Sequence, residues 1–353
     1  MTSDITVVAQ AEGYLTTKDI PFTAVTELSG GLANFVFLVT QPDNTRMILK
    51  HTSEGIKAFP TLCVSADRGG AEARALSVLP SLIAHDPLID VHLPVLLHYD
   101  KSAHVQLQRP AGSRTLKDAY TDFSLDISRI GWRLARWFAQ LHGISPPAAF
   151  EDNLTAKRIY GGSYRGCVKV LDEAGIDSGP ARTANQKYES LLHIETAMLC
   201  HGDFWSGNVL LPKTGEGGVS PRITMVDWEM SRRGNGATDV GQFAAEAWLL
   251  DQFRGGRGLL AAFLEGYADA AKEKVDVEFV KRVVVHAGVH LAYWPSMVDW
   301  ADDEGTKAIL RFGVELMKEA EKENFLWLKS SVFGPLMKHV EIQWSSNERF
   351  HVP

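Results

Sequence analysis

The sequence predicts an α+β chain of two lobes: a small N-terminal lobe built on an antiparallel β-sheet, then a larger, mainly helical C-terminal lobe. Three observations carry this. The chain has 353 residues, more than one hydrophobic core usually organises. Its first hundred residues alternate short β-rich runs with turn residues. From Ser128 onward the apolar residues recur at helical spacing.

The small lobe is read element by element. Phe35-Val36-Phe37-Leu38-Val39 and Met47-Ile48-Leu49-Lys50 are β-rich, and Gln41-Pro42-Asp43-Asn44 between them is turn chemistry, so the two form a hairpin. Residues 70–82 read as a helix, with Ala71, Ala75, Val78, Leu79 and Leu82 on one face. Residues 93–97 and 104–108 are two further strand candidates. After Pro110-Ala111-Gly112 the character changes. We therefore divide the chain at a hinge, with residues 1–109 as one lobe and 110–353 as the other. In the second lobe, Ile130, Leu134, Trp137, Phe138 and Leu141 fall on one helical face, which is core spacing. Val209-Leu210-Leu211-Pro212, a turn over Gly215-Glu216-Gly217-Gly218, and Arg222-Ile223-Thr224-Met225-Val226 read as a second hairpin.

Composition removes several function classes. Hydrophobic residues make up 45% and charged residues 22%, as in ordinary globular proteins. The net charge is −7, with no basic footprint, which argues against a nucleic-acid partner. Cys63, Cys167 and Cys200 are sparse and unpaired in spacing, which argues against a disulfide framework and a structural zinc site. The chain opens without a basic, apolar leader, and the run Val283–Trp294 is broken by His286 and His290 and too short to span a bilayer. The expectation is a cytoplasmic protein with no membrane partner.

The chemistry concentrates in one stretch, His201-Gly202-Asp203-Phe204-Trp205-Ser206-Gly207-Asn208, which runs into the apolar strand Val209-Leu210-Leu211. The next strand ends in Val226-Asp227-Trp228-Glu229. Phosphoryl transfer needs this set: one carboxylate to orient a hydroxyl and take its proton late, and an amide oxygen with a second carboxylate to hold magnesium against phosphate oxygens. Ahead of it, Leu28-Ser29-Gly30-Gly31-Leu32-Ala33-Asn34 is a turn of small residues that lets backbone N–H groups approach phosphates. Ser29, Gly30, Gly31 and Asn34 are its candidate contacts. Lys50, at the end of its strand, fits a lysine that pairs with the α- and β-phosphates. Glu72, early in the helix, is its expected carboxylate partner. Gln108 and Arg109, at the hinge, are expected to present backbone groups to adenine.

His-Gly-Asp-x-x-x-x-Asn followed by Asp-Trp-Glu resembles the aminoglycoside-phosphotransferase and choline-kinase-like superfamily. In detail it looks nearest the fungal methylthioribose-kinase-like and 4-hydroxytryptamine-kinase branch. The resemblance spans residues 29–300. It implies a protein-kinase-like fold, ATP and Mg2+ as cofactors, and a hydroxylated small molecule as acceptor. It implies Asp203 as catalytic base, Asn208 and Asp227 as metal ligands, and Glu229 beside the metal or acceptor. It also implies that Asp239 braces the catalytic loop. His201 is given a supporting role and Trp205 an acceptor-side one. A typical methylthioribose kinase departs from the loop asparagine that Asn208 supplies here. Asp-Phe-Gly and Ala-Pro-Glu are missing, which argues against a protein substrate.

For the acceptor, Trp248, Trp294, Asp299 and Trp300 combine aromatic faces with an acid, which suits an amine. Core packing is the competing reading of the tryptophans, and His286 and His290, four apart on one helical face with no third ligand nearby in sequence, are read as core or pocket-wall histidines rather than a metal pair. The expected function is an ATP- and magnesium-dependent phosphotransferase acting on an amine-bearing alcohol, an aminoglycoside or a sugar-like metabolite. A catalytically silent nucleotide-binding protein of the same fold is the alternative.

Overall fold

A computed structural model describes residues 4–29, 31, 33–213 and 221–341. Gly30 and the turn Gly215–Gly218 lie outside the described residues. The chain divides into two compact units: residues 1–125, 144–160 and 193–234, and residues 126–143, 161–192 and 235–353. The architecture is the expected mixture of an antiparallel N-terminal sheet with abundant helix.

The first unit opens with helix α1 (Val8–Thr17), followed by strands β1 (Ala24–Glu27), β2 (Phe35–Thr40), β3 (Arg46–His51), β4 (Gly55–Ile56) and β5 (Phe59–Cys63). Helix α2 (Asp67–Val78) follows, then β6 (Val91–His92), β7 (Leu96–Asp100), β8 (Val105–Gln108) and β9 (Arg114–Thr115). Strands β1, β2, β3, β8 and β7, in that spatial order, form one antiparallel sheet of five. Strand alternation sorts its residues. Phe37, Val39, Met47, Leu49, Val105 and Leu107 point to one face and bury against Ala11 and Leu15 of α1. Lys50 and its cross-strand neighbour Gln106 therefore point to the other face. The hairpin turn is closed by Gln41, whose N–H donates to Thr45 O at 2.9 Å, and by Asn44 with φ of 65°.

Three boundaries differ from the sequence expectation. Helix α1 lies in the region expected to be strand-rich, because a glycine and β-branched residues dilute its helical signal. Burial of Ala11 and Leu15 under the sheet selects the helix. Strand β7 begins at Leu96, not at residue 93, since Pro94 lacks the N–H a ladder needs. Helix α2 starts at Asp67 and ends at Val78, passing into a 3-10 turn over Leu79–Ser81 where Pro80 removes a donor.

Later in the same unit come β10 (Met198–Cys200), β11 (Val209–Leu211), β12 (Ile223–Met225) and β13 (Arg232–Gly234). Strand β10 pairs antiparallel with β13, and β11 with β12. Strand β12 also runs parallel to β6, and β11 antiparallel to β9.

The second unit is helical. Its helices include Ile127–Gly143, Ala237–Phe253, Leu259–Ala271, Val277–Leu291 and Asp303–Glu321. On the first, Ile130, Leu134, Trp137, Phe138 and Leu141 are all buried. Asp302 caps the last, its carboxylate accepting from Gly305 N at 2.8 Å, so the acidic run before it is a helix start. Cys63, Cys167 and Cys200 are free thiols. No helix among the described residues is long and apolar enough to cross a membrane.

Candidate active site

The β11–β12 hairpin is nested inside the antiparallel β10–β13 pair, and this nesting builds the site. β10 leads outward into residues 201–208 and β13 receives the chain after residues 226–231, while β11 and β12 pair beyond them. The two arms are thus held face to face between two ladders. Val226 N donates to Asn208 O at 3.0 Å, and His201 Nε2 donates to Val226 O at 3.0 Å. The other ring nitrogen, Nδ1, accepts from Asp203 N at 3.2 Å, which fixes the tautomer of this fully buried imidazole. His201 also packs on Trp228, with ring centroids 4.4 Å apart.

Gly202 cannot be another residue without cost. Its φ is +87°, and a Cβ there would lie 2.0 Å from Met230 O. Gly202→Ala should lower stability by at least about 2 kcal/mol and take activity with it, since backbone strain and a backbone clash add. A thermal melt equal to wild type would contradict this reading of the loop.

Asp203 and Asn208 lie at the two ends of the loop and touch. Asn208 Nδ2 donates to Asp203 Oδ2 at 3.0 Å and to Asp203 O at 2.9 Å. That commits the amide nitrogen and leaves Oδ1 as the acceptor end of the side chain. Trp205, half-buried, has Lys117 Nζ 5.7 Å from its ring centroid.

Asp227 begins the turn after β12 in the left-handed region, at φ of 66°, where a short polar side chain is tolerated but strained. Its Oδ1 accepts from Lys50 Nζ at 2.6 Å. Lys50 Nζ also donates to Glu72 Oε2 at 2.6 Å. Gln106 steadies this pair, its Nε2 donating to Glu72 Oε2 at 3.2 Å and to Gly69 O at 3.0 Å. Burial alone would discharge the lysine, but the charges of Asp227, Glu72 and Glu229 outweigh it and hold its pKa above the usual value. Burial also opposes ionisation of Asp227, and the Lys50 charge reverses that and holds it below the ordinary carboxylate range. The Asp227 side chain retains 29% exposure, against 8% for Lys50, so the carboxylate is the open end of the pair.

Glu229 has a different environment. Its Oε2 accepts from Asn34 Nδ2 at 2.8 Å and from Arg68 Nε at 3.1 Å. Burial, then the neighbouring Asp227 charge, push its pKa up to about 7, against the pull of Lys50 and Arg68. Asn153 Nδ2 donates to Glu229 O at 2.8 Å. Neither Arg68 nor Asn153 was expected from the sequence.

The remaining expected residues are placed as follows. Ser29 is exposed and Gly31 lies in the same loop. Gln108 is buried in its ladder with its amide on Gln106 Oε1 at 2.9 Å, and Arg109 is exposed with its N–H donated to Val95 O at 2.9 Å. Asp239, Trp248, Trp294, Asp299 and Trp300 belong to the second unit. Asp239 is buried and pairs with His142 Nε2 at 3.2 Å. Trp248 stacks on Phe312 at 4.7 Å, and Phe253 links it to the buried Trp300. Trp294 is 37% exposed and meets Tyr293 edge-on, and Asp299 is exposed. His286 and His290 are buried, the first on Tyr164 and the second on Glu246 at 2.9 Å.

Comparison with known proteins agrees with the resemblance read from the loop. The chain is 26% identical over 349 residues to a 4-hydroxytryptamine kinase of Psilocybe cyanescens, covering 92% of this chain and 96% of that one. It is 23% identical over 339 residues to a 4-hydroxytryptamine kinase of Psilocybe cubensis, covering 88% and 92%. Among solved structures, choline kinase from Cryptosporidium parvum shares the fold, with a TM-score of 0.54 at 14% identity over 93% of this chain and 100% of that one. The family model described as the phosphotransferase enzyme family matches residues 24–277. The nested loops and the buried lysine thus sit inside that match, and the chain belongs to the phosphotransferase enzyme family as a small-molecule kinase.

Proposed function

We propose that this kinase moves the γ-phosphate of ATP, with magnesium, to the hydroxyl of a small amine-bearing alcohol. The observation that carries the proposal is the Lys50 ammonium, 2.6 Å from both Glu72 and Asp227 and in the same unit as the Asp203–Asn208 loop. Two of the three ammonium donors are spent on carboxylates among the described residues, and the third is available to a phosphate oxygen. Asp227 and the Oδ1 of Asn208 are an all-oxygen donor set, which suits a small hard cation. Magnesium held by these two residues supplies neutralisation of the charge on the phosphate oxygens.

The protein's own groups do the rest. Lys50, fixed by Glu72, orients the phosphate chain. Asp203, fixed by Asn208, aligns the acceptor hydroxyl in line with the γ-phosphorus. As the acceptor oxygen bonds to phosphorus, the bond to the ADP oxygen breaks, and the hydroxyl proton passes to Asp203. An ordinary aspartate suffices, because a loose transition state needs proton removal only late. We assign nucleotide handling to residues 1–109, with the backbone N–H groups of Ser29, Gly30, Gly31 and Asn34 over the phosphates and Gln108 and Arg109 at the adenine. Catalysis and acceptor binding are assigned to residues 110–353.

An amine-bearing acceptor is supported by the name of the two Psilocybe relatives, which match over nearly the whole chain, and by Trp294 and Asp299, aromatic face and acid on one exposed segment. The test is ADP release with ATP, magnesium and a panel of choline, hydroxytryptamines, methylthioribose, homoserine and aminoglycosides. Acceptor-dependent release with a hydroxytryptamine or another amino alcohol is expected. Release only with methylthioribose would sink the acceptor class and keep the kinase.

A further inference from the structure

Arg68 is an unusual cation: 2% exposed, and with its guanidinium spread over separate pieces of chain. Nη1 donates to Ser53 O at 2.8 Å, Val64 O at 3.1 Å and Ser65 O at 3.2 Å. Nη2 donates to Gly55 O at 3.0 Å and Ala33 O at 3.4 Å. Nε donates to Glu229 Oε2 at 3.1 Å, the same oxygen that accepts from Asn34 Nδ2 at 2.8 Å. Asn34 and Glu229 are 3% and 4% exposed. One carboxylate oxygen and one guanidinium therefore join the end of the small-residue turn to the segment that carries Asp227.

We propose that Arg68 and Glu229 are positioning residues that lock Ala33 and Asn34, just before β2, onto the Asp227 segment, so that these residues and Asp227 meet the nucleotide as one preset unit. The inference rests on the kinase reading above for the word nucleotide, and on geometry alone for the lock. Only a planar fork satisfies the pattern. A lysine offers three donors from one point and cannot reach Glu229, Gly55 and Ser53 together. Burial excludes the water that would otherwise replace a lost partner, so each contact is costly to break. In this arrangement Glu229 spends its oxygen on the turn.

The test uses Asn34→Ala, Glu229→Ala and Arg68→Lys in the full chain, read two ways. The first is hydrogen exchange without nucleotide at the Lys57 amide, which donates to Ala33 O, and at the Leu28 amide, which donates to Val36 O. Both should exchange faster, by about tenfold or more, in each variant. The second is calorimetric affinity for ATP, which should weaken by about tenfold, with KM for ATP rising while KM for the acceptor stays put. Asn34→Ala removes only a side-chain amide, so it keeps the test sound if Arg68→Lys does not fold. Asn34→Ala combined with Glu229→Ala should cost less than the sum of the two, because both act on one contact. Unchanged exchange in Asn34→Ala and Glu229→Ala would overturn the lock. Weaker ATP binding in Asn34→Ala alone, with Glu229→Ala like wild type, would also overturn it, by making the Asn34 side chain a direct nucleotide contact. If wild type binds no nucleotide yet exchange rises in the variants, the lock stands and the kinase reading falls.

Discussion

Asp203→Asn is expected to slow phosphoryl transfer by roughly 100- to 10,000-fold, the range supplied by a positioned general base, with ATP affinity unchanged. The amide has the carboxylate's shape and can still accept from Asn208 Nδ2 through its oxygen, so the 3.0 Å contact across the loop survives. What is lost is the negative charge that orients and deprotonates the acceptor. Stopped-flow transfer and calorimetric ATP binding on one preparation separate the two effects. A variant that transfers at the wild-type rate would remove Asp203 from its assigned role. One that also fails to bind ATP would show that the loop had moved.

Lys50→Met carries the second large effect, and it reaches stability as well as rate. Transfer should fall by roughly 100- to 1,000-fold, as when one preorganised donor is removed from a developing charge. The variant also leaves Glu72 and Asp227 without their cation. Breaking a buried pair from one side costs about 3–5 kcal/mol, since Glu72 is only 1% exposed. The sign with pH follows from the two shifts. Asp227 titrates below its ordinary 3.8 in the folded protein, so its contribution is present above that value and is lost as pH falls through the lowered one. Lys50 titrates above its ordinary 10.5, so its contribution is present below that value and is lost only in stronger base. Neutral pH lies inside both windows. In the methionine variant Asp227 loses the Lys50 charge that holds its pKa down and gains a proton more readily. The stability gap to wild type should therefore narrow as pH drops below about 5, which melts across pH would show. A gap constant with pH would mean that the pair contributes packing rather than charge.

The residues that carry the chemistry were readable because their partners are close in sequence or set by the order of elements. Asp203 and Asn208 are five residues apart, and the short strands that follow return the chain to Asp227. Lys50 was readable because a small-residue turn, a strand, a second turn and a strand ending in lysine follow one another along the chain. Arg68 was not. An arginine at the start of a helix ordinarily reads as a solvated residue, and its partners, Ala33, Ser53, Gly55 and Glu229, are spread along the chain. Only the fold reveals it as a buried centre. Helix α1 was hidden for a related reason: its conformation comes from the sheet it covers rather than from its own propensity. The aromatic residues of the second unit show the limit of composition. Trp248 and Trp300 join one aromatic cluster through Phe253, while Trp294 and Asp299 stay exposed, and nothing in their spacing distinguished the two cases.

The central claim is transfer to a hydroxyl, and phosphorus NMR of the completed reaction tests it most directly. With ATP, magnesium and a hydroxylated amine, a new phosphate monoester resonance coupled to the acceptor's own carbon framework is predicted, and it should be missing with Asp203→Asn. Inorganic phosphate as the sole product, or phosphorus bonded to the amine nitrogen, would contradict the account.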